Sequence, residues 1–227
     1  MNTSCIKLLL FVILSVNFFG YGQNDFEMLH ENAFSLRHSF SKNYNANFEL
    51  SSRAFAYTDE DFVYNLQQLQ ISHFSTFKLD LKQSLALGLL YRNREAFEDS
   101  SNEIRLTQQY NLKSISRTFR LGHRFRSEQR FYNDFTAFRF RYRFAIDVPL
   151  QGLKLDVGET YLILTNEGLL STAKNVKPEI GYRISPSIGL QASNDLTIEF
   201  GIELRLSELN INTRESIFFN TSVDLRL

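Results

Sequence analysis

Between residues 117 and 147 the chain reads RTFRLGHRFRSEQRF, then YNDFTA, then FRFRYRFAID, two alternating runs around a short polar turn. In the first run Phe119, Leu121, His123 and Phe125 share one parity, and Arg120, Arg124, Arg126, Glu128 and Arg130 the other. In the second, Phe138, Phe140, Tyr142, Phe144 and Ile146 oppose Arg139, Arg141, Arg143 and Asp147. A period of two places successive side chains on opposite sides of a pleated strand. The segment therefore predicts a β-hairpin with one apolar face and one densely charged face.

The first 22 residues carry a different signal. Lys7 supplies a positive start, residues 8–19 are apolar but for Ser15 and Asn17, and Gly20 and Gly22 stand ahead of Gln23. This pattern predicts a secretory signal peptide, residues 1–22, cleaved near Gly22. Its apolar run is shorter than the roughly 20 residues that span a bilayer as a helix. The one cysteine, Cys5, precedes that run, so the exported part is expected to have neither a disulfide nor a lipid anchor.

The sequence holds 25 basic and 25 acidic residues, and loss of Lys7 leaves 24 against 25, a net charge of −1. That balance gives no basic excess of the kind that tracks nucleic acid. Placement is more informative than the sum. Seven of the 17 arginines lie between Arg120 and Arg143, all at strand positions, whereas Lys42, Lys78, Lys113, Lys154, Lys174 and Lys177 sit near turns. Arginines inside strands are expected to be paired with acids.

Residues 23–227 read as one all-β domain, a succession of alternating runs without a helix of useful length, a linker or a composition shift. Runs at 32–40, 47–57, 62–74, 79–92 and 103–112 precede the hairpin, and runs at 153–165, 176–193, 196–207 and 216–227 follow it, with 166–175 as a longer loop. Pro178 and Pro186 each remove a ladder donor and predict a bulge or an early start in their run. Many runs exceed the 5 to 6 residues usual in globular strands and suffice for the roughly 9 to 11 of a bilayer crossing. Longer connections are expected after every second run, as in barrels with short turns at one end and long loops at the other. Single-chain bacterial barrels have an even strand number. The predicted fold is thus an antiparallel up-and-down transmembrane β-barrel of 10–12 strands, 12 preferred, with residues 25–31 supplying the extra strand.

Alternation alone leaves open which face points inward. A soluble periplasmic lipocalin-like barrel turns its apolar face in, and a membrane barrel turns it out. Strand length, the bulk of the Phe- and Leu-rich face and the crowding of arginines favour the membrane form, with Glu103, Glu128, Asp147 and Asp156 as expected lumenal partners. A closed barrel also satisfies every backbone group internally, as lipid demands.

The segments EIRLTQQY, RLGHRFRSEQRF and FRFRYRF resemble strand motifs of an outer-membrane family of Gram-negative bacteria, domain of unknown function 2490. Arg124, Arg126, Glu128, Gln129, Arg130, Arg139, Arg141 and Arg143 are the most specific part, and the resemblance covers essentially all of residues 23–227. It implies a barrel fold and an outer-membrane location; family members have no assigned activity. The chain departs from the family in lacking tryptophan, often present in the first strand, and in ending at Leu227 rather than an aromatic. Val223, Leu225 and Leu227 keep the alternation.

The candidate site is a lumenal charge network of Arg120, Arg124, Arg126, Glu128, Arg130, Arg139, Arg141, Arg143, Asp147, Glu103 and Arg105. It reads first as an Arg–Glu filling of a narrow barrel, because buried charges need partners. The competing reading is an anion-attracting lumen, a narrow anion-preferring channel or a binding barrel. His73 and Ser75 share a strand face at a spacing used by some lipid-deacylating barrels, and are the candidate catalytic pair of a lipid-modifying hydrolase. No third group to orient the histidine is identifiable. The histidines His30, His38, His73 and His123 are scattered singly, which argues against a metal site. The acidic loops at 59–61 and 95–99 read as solvated rather than calcium-binding. With no phosphate loop or dinucleotide fingerprint, no cofactor is expected. The expected protein is a monomer that contacts outer-membrane lipid and lipopolysaccharide and reaches the membrane through the barrel-assembly machinery.

Overall fold

The computed structural model describes residues 26–58, 61–94, 102–116 and 118–227. The expected signal peptide, residues 59 and 60 and the acidic segment 95–99 lie outside them. Among the described residues there are eleven strands and no helix: β1 (Glu27–Ser39), β2 (Tyr44–Thr58), β3 (Asp61–Lys78), β4 (Gln83–Arg94), β5 (Glu103–Ile115), β6 (Arg120–Phe131), β7 (Thr136–Pro149), β8 (Thr160–Ala173), β9 (Glu179–Gln191), β10 (Leu196–Ser207) and β11 (Arg214–Arg226). Each strand pairs antiparallel with its predecessor, and the sheet closes into a barrel where β11 meets β1.

The expectation of twelve strands is corrected to eleven. Residues 27–31 are not a separate strand; they continue directly into 32–39 as the first part of β1. An odd number of up-and-down strands leaves the first and last pointing the same way. The closing seam is accordingly parallel, from Glu27 opposite Ser216 to Arg37 opposite Arg226.

The eighth strand lies further along the chain than the sequence pattern suggests. It spans 160–173 rather than 153–165, and residues 166–173, expected as loop, form a ladder with β7 from Asn166 opposite Phe144 to Ala173 opposite Ala137. The connection before it, residues 150–159, takes the turns instead. Gly152 and Gly158 adopt positive φ there (68° and 85°), and Leu150 N donates to Thr160 O at 2.9 Å. Left-handed backbone favours glycine because it has no Cβ to clash. Asn166, Glu167 and Gly168 look like a turn in sequence, but Glu167 faces inward and is paired there, as described below. This long connection also breaks the expected alternation, since it lies at the same end as the tight turns.

Those turns, at 40–43, 79–82 and 192–195, share one device. A Ser or Asp side chain at or near the turn start accepts the backbone N–H groups two and three residues on: Ser41 Oγ from Asn43 and Tyr44, Asp80 Oδ1 from Lys82 and Gln83, and Ser193 Oγ from Asp195 and Leu196. Such Asx and Ser turns satisfy backbone donors that would otherwise be left open. The turns mark the end of the barrel at which β11 finishes; it is called the turn end below, and the opposite one the loop end.

Register ties the strands into a strongly staggered barrel. From Tyr44 at the start of β2, the pairs run through Phe77, Leu85, Tyr110, Phe125, Tyr142, Gly168, Tyr182 and Leu206 to Glu215 at the start of β11. A row perpendicular to the strands thus begins at the turn end and arrives at the loop end, the shear that accompanies tilted strands in a closed barrel. Pro178 lies just ahead of β9, while Pro186 sits within it and faces β10 where the ladder is interrupted between Gly201–Ser187 and Leu204–Ile184.

Parity settles which face is inside. Leu85, Leu87, Leu89, Phe140, Phe200 and Ile202 are half exposed on the outer face, whereas Glu103 and Glu128 have no exposure at all. Apolar side chains point out and charges point in, the reverse of a soluble lipid-binding barrel. Inside, Gly88 faces the ring of Phe74 so closely that a Cβ there would overlap it. Gly88→Val is therefore expected to destabilise the refolded barrel by about 1–3 kcal/mol through overpacking, and Phe74→Leu to recover part of that loss. Urea unfolding of the single and double variants measures both.

Candidate functional site in the barrel lumen

The hairpin β6–β7 puts its charges in register on the lumen face. Arg120 opposes Asp147, Arg124 opposes Arg143, Arg126 opposes Arg141, and Glu128 opposes Arg139. On neighbouring β5, Arg105 stands opposite Arg130. So many guanidinium groups on adjoining strands would repel one another were they not knitted together by a few carboxylates.

Glu103, fully buried on β5, is the first of these. It receives both Nε and Nη2 of Arg130 at 2.7 and 2.8 Å, the forked geometry that binds a carboxylate most strongly, together with Arg105 at 2.7 Å and Arg92 at 3.3 Å. Arg94 lies 3.7 Å away and the Tyr132 hydroxyl 3.4 Å. Glu128 on β6 is the second, with Arg141 at 2.9 Å, Arg105 at 3.5 Å and Arg126 at 3.6 Å. Arg141 reaches on to Glu167 of β8 at 2.5 Å, and Arg183 of β9 bridges Glu167 and Glu203 at 3.9 Å each. Glu203 is bonded to Arg205, which lies 3.6 Å from Glu31 of β1, and Glu31 takes Arg53 of β2 at 2.6 Å.

The chain of pairs thus runs most of the way round the lumen, from β4 to β2. β3 joins it through Gln70, whose side-chain oxygen accepts two bonds from Arg92, and β11 through Phe218, whose ring is covered by Arg205 and Arg53. Cation–π contacts of this kind strengthen when they are shielded from water. The result is a belt of alternating charge across the barrel interior.

The network expected from the sequence is largely brought together, with exceptions. Arg120 and Asp147 pair at 3.2 Å near the turn end, outside the belt. Arg139 is bonded to Ser171 at 2.8 Å rather than to an acid. Arg124 and Arg143 make no side-chain hydrogen bond or ion pair among the described residues. Asp156, expected as a partner, is exposed in the 150–159 connection and takes no part. Its place is taken by Glu167, in a segment where the sequence pattern predicts a loop. Glu31, Arg53, Arg92, Arg183, Glu203 and Arg205 were also missed; each shares its strand parity with inward polar residues, the signal that marked the central hairpin.

The two walls differ in charge balance. From β4 to β7 the lumen face is dominated by arginine, while the facing wall mixes Glu31, Glu49, Glu167, Glu199 and Glu203 with Arg53, Arg183 and Arg205. A polar cavity of about 190 Å³ lies between them, lined by Arg143, Arg183, Thr165, Ser185, Asn220 and Glu199 among others.

His73 and Ser75 do meet, His73 Nε2 lying 3.0 Å from Ser75 Oγ, which is in turn 3.0 Å from the Tyr44 hydroxyl. Both residues face outward: His73 is in register with Phe48 and Leu89, Ser75 with Ala46 and Leu87. His73 Nδ1 is buried without a hydrogen-bond partner, so no carboxylate orients the ring as a general base requires. Other outward polar groups are likewise bonded sideways. Gln108 and Gln129 exchange amide bonds at 2.9 and 3.1 Å, and Tyr182 donates to Asn166 at 2.6 Å. The His73–Ser75 contact fits that pattern.

These features define a class: a closed single-sheet barrel, apolar outside and ion-paired within. The sequence profile of a family described as protein of unknown function, DUF2490, matches residues 32–214, and the chain belongs to that family. A comparison with curated proteins finds no match. Among solved structures, the siderophore receptor PirA from Pseudomonas aeruginosa is similar over 80% of this chain and 34% of its own, at a TM-score of 0.32 and 11% identity. The chain spans about a third of the length of that receptor.

The belt makes a graded prediction. Glu103→Gln strands several buried arginines and is expected to cost about 3–5 kcal/mol, as when one partner of a buried pair is removed. Asp147→Asn breaks a half-exposed pair and is expected to cost below about 1 kcal/mol. Denaturant midpoints of the two refolded variants give the comparison.

Proposed function

We propose that this chain is an outer-membrane β-barrel whose lumen is closed at mid-depth by the Arg–Glu belt and serves as a binding space rather than an open pore. The observation that carries this is the inverted polarity: an apolar outer face around a chain of ion pairs that runs from β4 round to β2. Strands of 12 to 18 residues exceed the roughly 9 to 11 that cross a bilayer, and the closed sheet leaves no edge to lipid. Outward polar groups that bond one another suit the same surroundings. The reading includes export behind the signal peptide of residues 1–22, insertion by the barrel-assembly machinery, and a monomer bounded by lipid and lipopolysaccharide.

Planar-bilayer recording of the refolded protein tests it. Wild type is expected to insert, to shift mobility on heating in gels, and to pass no steady current. The double variant Arg141→Ala/Glu128→Ala, which opens the belt without leaving either charge alone, is expected to conduct in steps. A soluble folded monomer that does not enter lipid, or a wild type with steady open-pore current, overturns the reading. Because the His73–Ser75 contact lacks an orienting acid, His73→Ala is expected to leave the lipid composition of producing cells unchanged by mass spectrometry.

A further inference from the structure

Just inside the turn end, Arg124 and Arg143 stand directly opposite each other on the lumen face. Like charges so placed destabilise a sheet, and an anion bound between them would relieve the repulsion. The acid in register with Arg143 is Glu167, but its carboxylate is held by Arg141 at 2.5 Å, with Arg183 at 3.9 Å. The charges acting on Arg124 are chiefly other arginines, Arg143 and Arg126, ahead of Glu167. Glu49 on the facing wall also lies within electrostatic reach of Arg124, but its side chain is bonded to Ser35 at 3.2 Å. The two guanidinium groups therefore have open donors in a place where every other lumenal arginine of this hairpin has a partner.

Space adjoins them. The next pair in the ladder toward the turn end is Gly122 opposite Ala145, the smallest side chains on that face, and a Cβ added at Gly122 would meet only that of Ala145. Asn111 flanks Arg124 on β5, and Thr165 flanks Ala145 on β8. Arg143 also lines the 190 Å³ cavity, together with Arg183, Thr165, Ser185 and the carboxylates of Glu167, Glu199 and Glu203. A water molecule occupies about 30 Å³ of liquid, so there is room for a small ion.

We infer that this recess binds an oxyanion of phosphate or carboxylate size, gripped between the forks of Arg124 and Arg143. The inference rests on the lumen being a binding space and deepens that reading by naming the class of ligand. Two guanidinium groups offer paired parallel donors to two oxygens, the geometry in which arginine recognises carboxylate and phosphate. With the inner side closed by the belt beyond Arg126 and Arg141, as proposed above, the ligand enters from the turn end.

Calorimetric titration of inorganic phosphate into the refolded protein in detergent, at constant ionic strength, is the test. Wild type is expected to bind one phosphate per barrel saturably. Arg124→Gln and Arg143→Gln are each expected to weaken binding at least tenfold, while Lys154→Gln, on the exposed connection at the same end, leaves it unchanged. Ala145→Leu keeps both arginines and fills the recess; loss of phosphate binding in that variant supports the site even where an arginine variant does not refold. Absence of saturable heat in wild type, or wild-type affinity in the refolded arginine and leucine variants, overturns the inference. Since the titration needs no bilayer, a barrel that binds phosphate but fails to enter lipid would sink the membrane reading and leave this one standing.

Discussion

Two carboxylates without solvent contact, Glu103 and Glu128, govern the interior of this barrel. A buried charge is tolerated only when it is bonded on nearly every side, and each of these gathers arginines from more than one strand. The requirement propagates. Arg141, drawn in by Glu128, brings Glu167; Arg183 links that to Glu203; Arg205 and Glu31 carry the chain of pairs from β10 past β11 to β1, across the closing seam. Residues at the far ends of the sequence are thus members of one network, and it is complete only when the barrel closes. Parallel pairing is slightly less stable per residue than antiparallel, and the closing seam is where the belt adds most: Arg53 and Arg205 both lie on the ring of Phe218, locking β2, β10 and β11 together around β1.

Much of this was legible in the sequence because alternation is a strong signal where both faces are chemically distinct. The β6–β7 hairpin is the clearest instance, and its inward arginines are where the pattern places them. The odd strand number was not legible. Residues 27–31 alternate no differently from 32–39, and nothing local to a strand records whether the count that closes the sheet is odd or even. The shift of β8 has a different cause. Asn166-Glu167-Gly168 carries turn-forming residues, and only the carboxylate's long-range partners, Arg141 and Arg183, show why that segment is held as strand. Propensity yielded to a tertiary contact. Asp156 failed as a lumenal partner for the complementary reason: the glycines flanking it take left-handed backbone and end the strand before it begins.

The outer face obeys a second accounting. In the lipid surroundings proposed for this barrel, a polar side chain facing outward must find its partner within the protein. Gln108 with Gln129, Asn166 with Tyr182, and His73 with Ser75 and Tyr44 are all solutions to that demand, built from neighbours across one strand pair. This explains why a histidine and a serine at hydrogen-bond distance need not signal catalysis. What separates a reactive pair from a satisfied one is a third group that fixes the base, and His73 Nδ1 has none.

On the inward face of the β6–β7 hairpin, Arg124 and Arg143 are the arginines to which no carboxylate or hydroxyl is bonded. Along the inward face of β6 and β7 the charges read, from the turn end, a pair with Asp147, then Arg124 and Arg143 together, then arginines claimed by Glu128 and Glu167. A network that satisfies its neighbours so fully would gain from an acid at Gly122 or Ala145, and the chain places its smallest residues there instead. Filling that gap with a carboxylate would complete the electrostatics and abolish the space. Leaving it open keeps two forks of donors beside open space on the turn-end side of the belt, which is the arrangement a binding site requires and a purely structural filling does not.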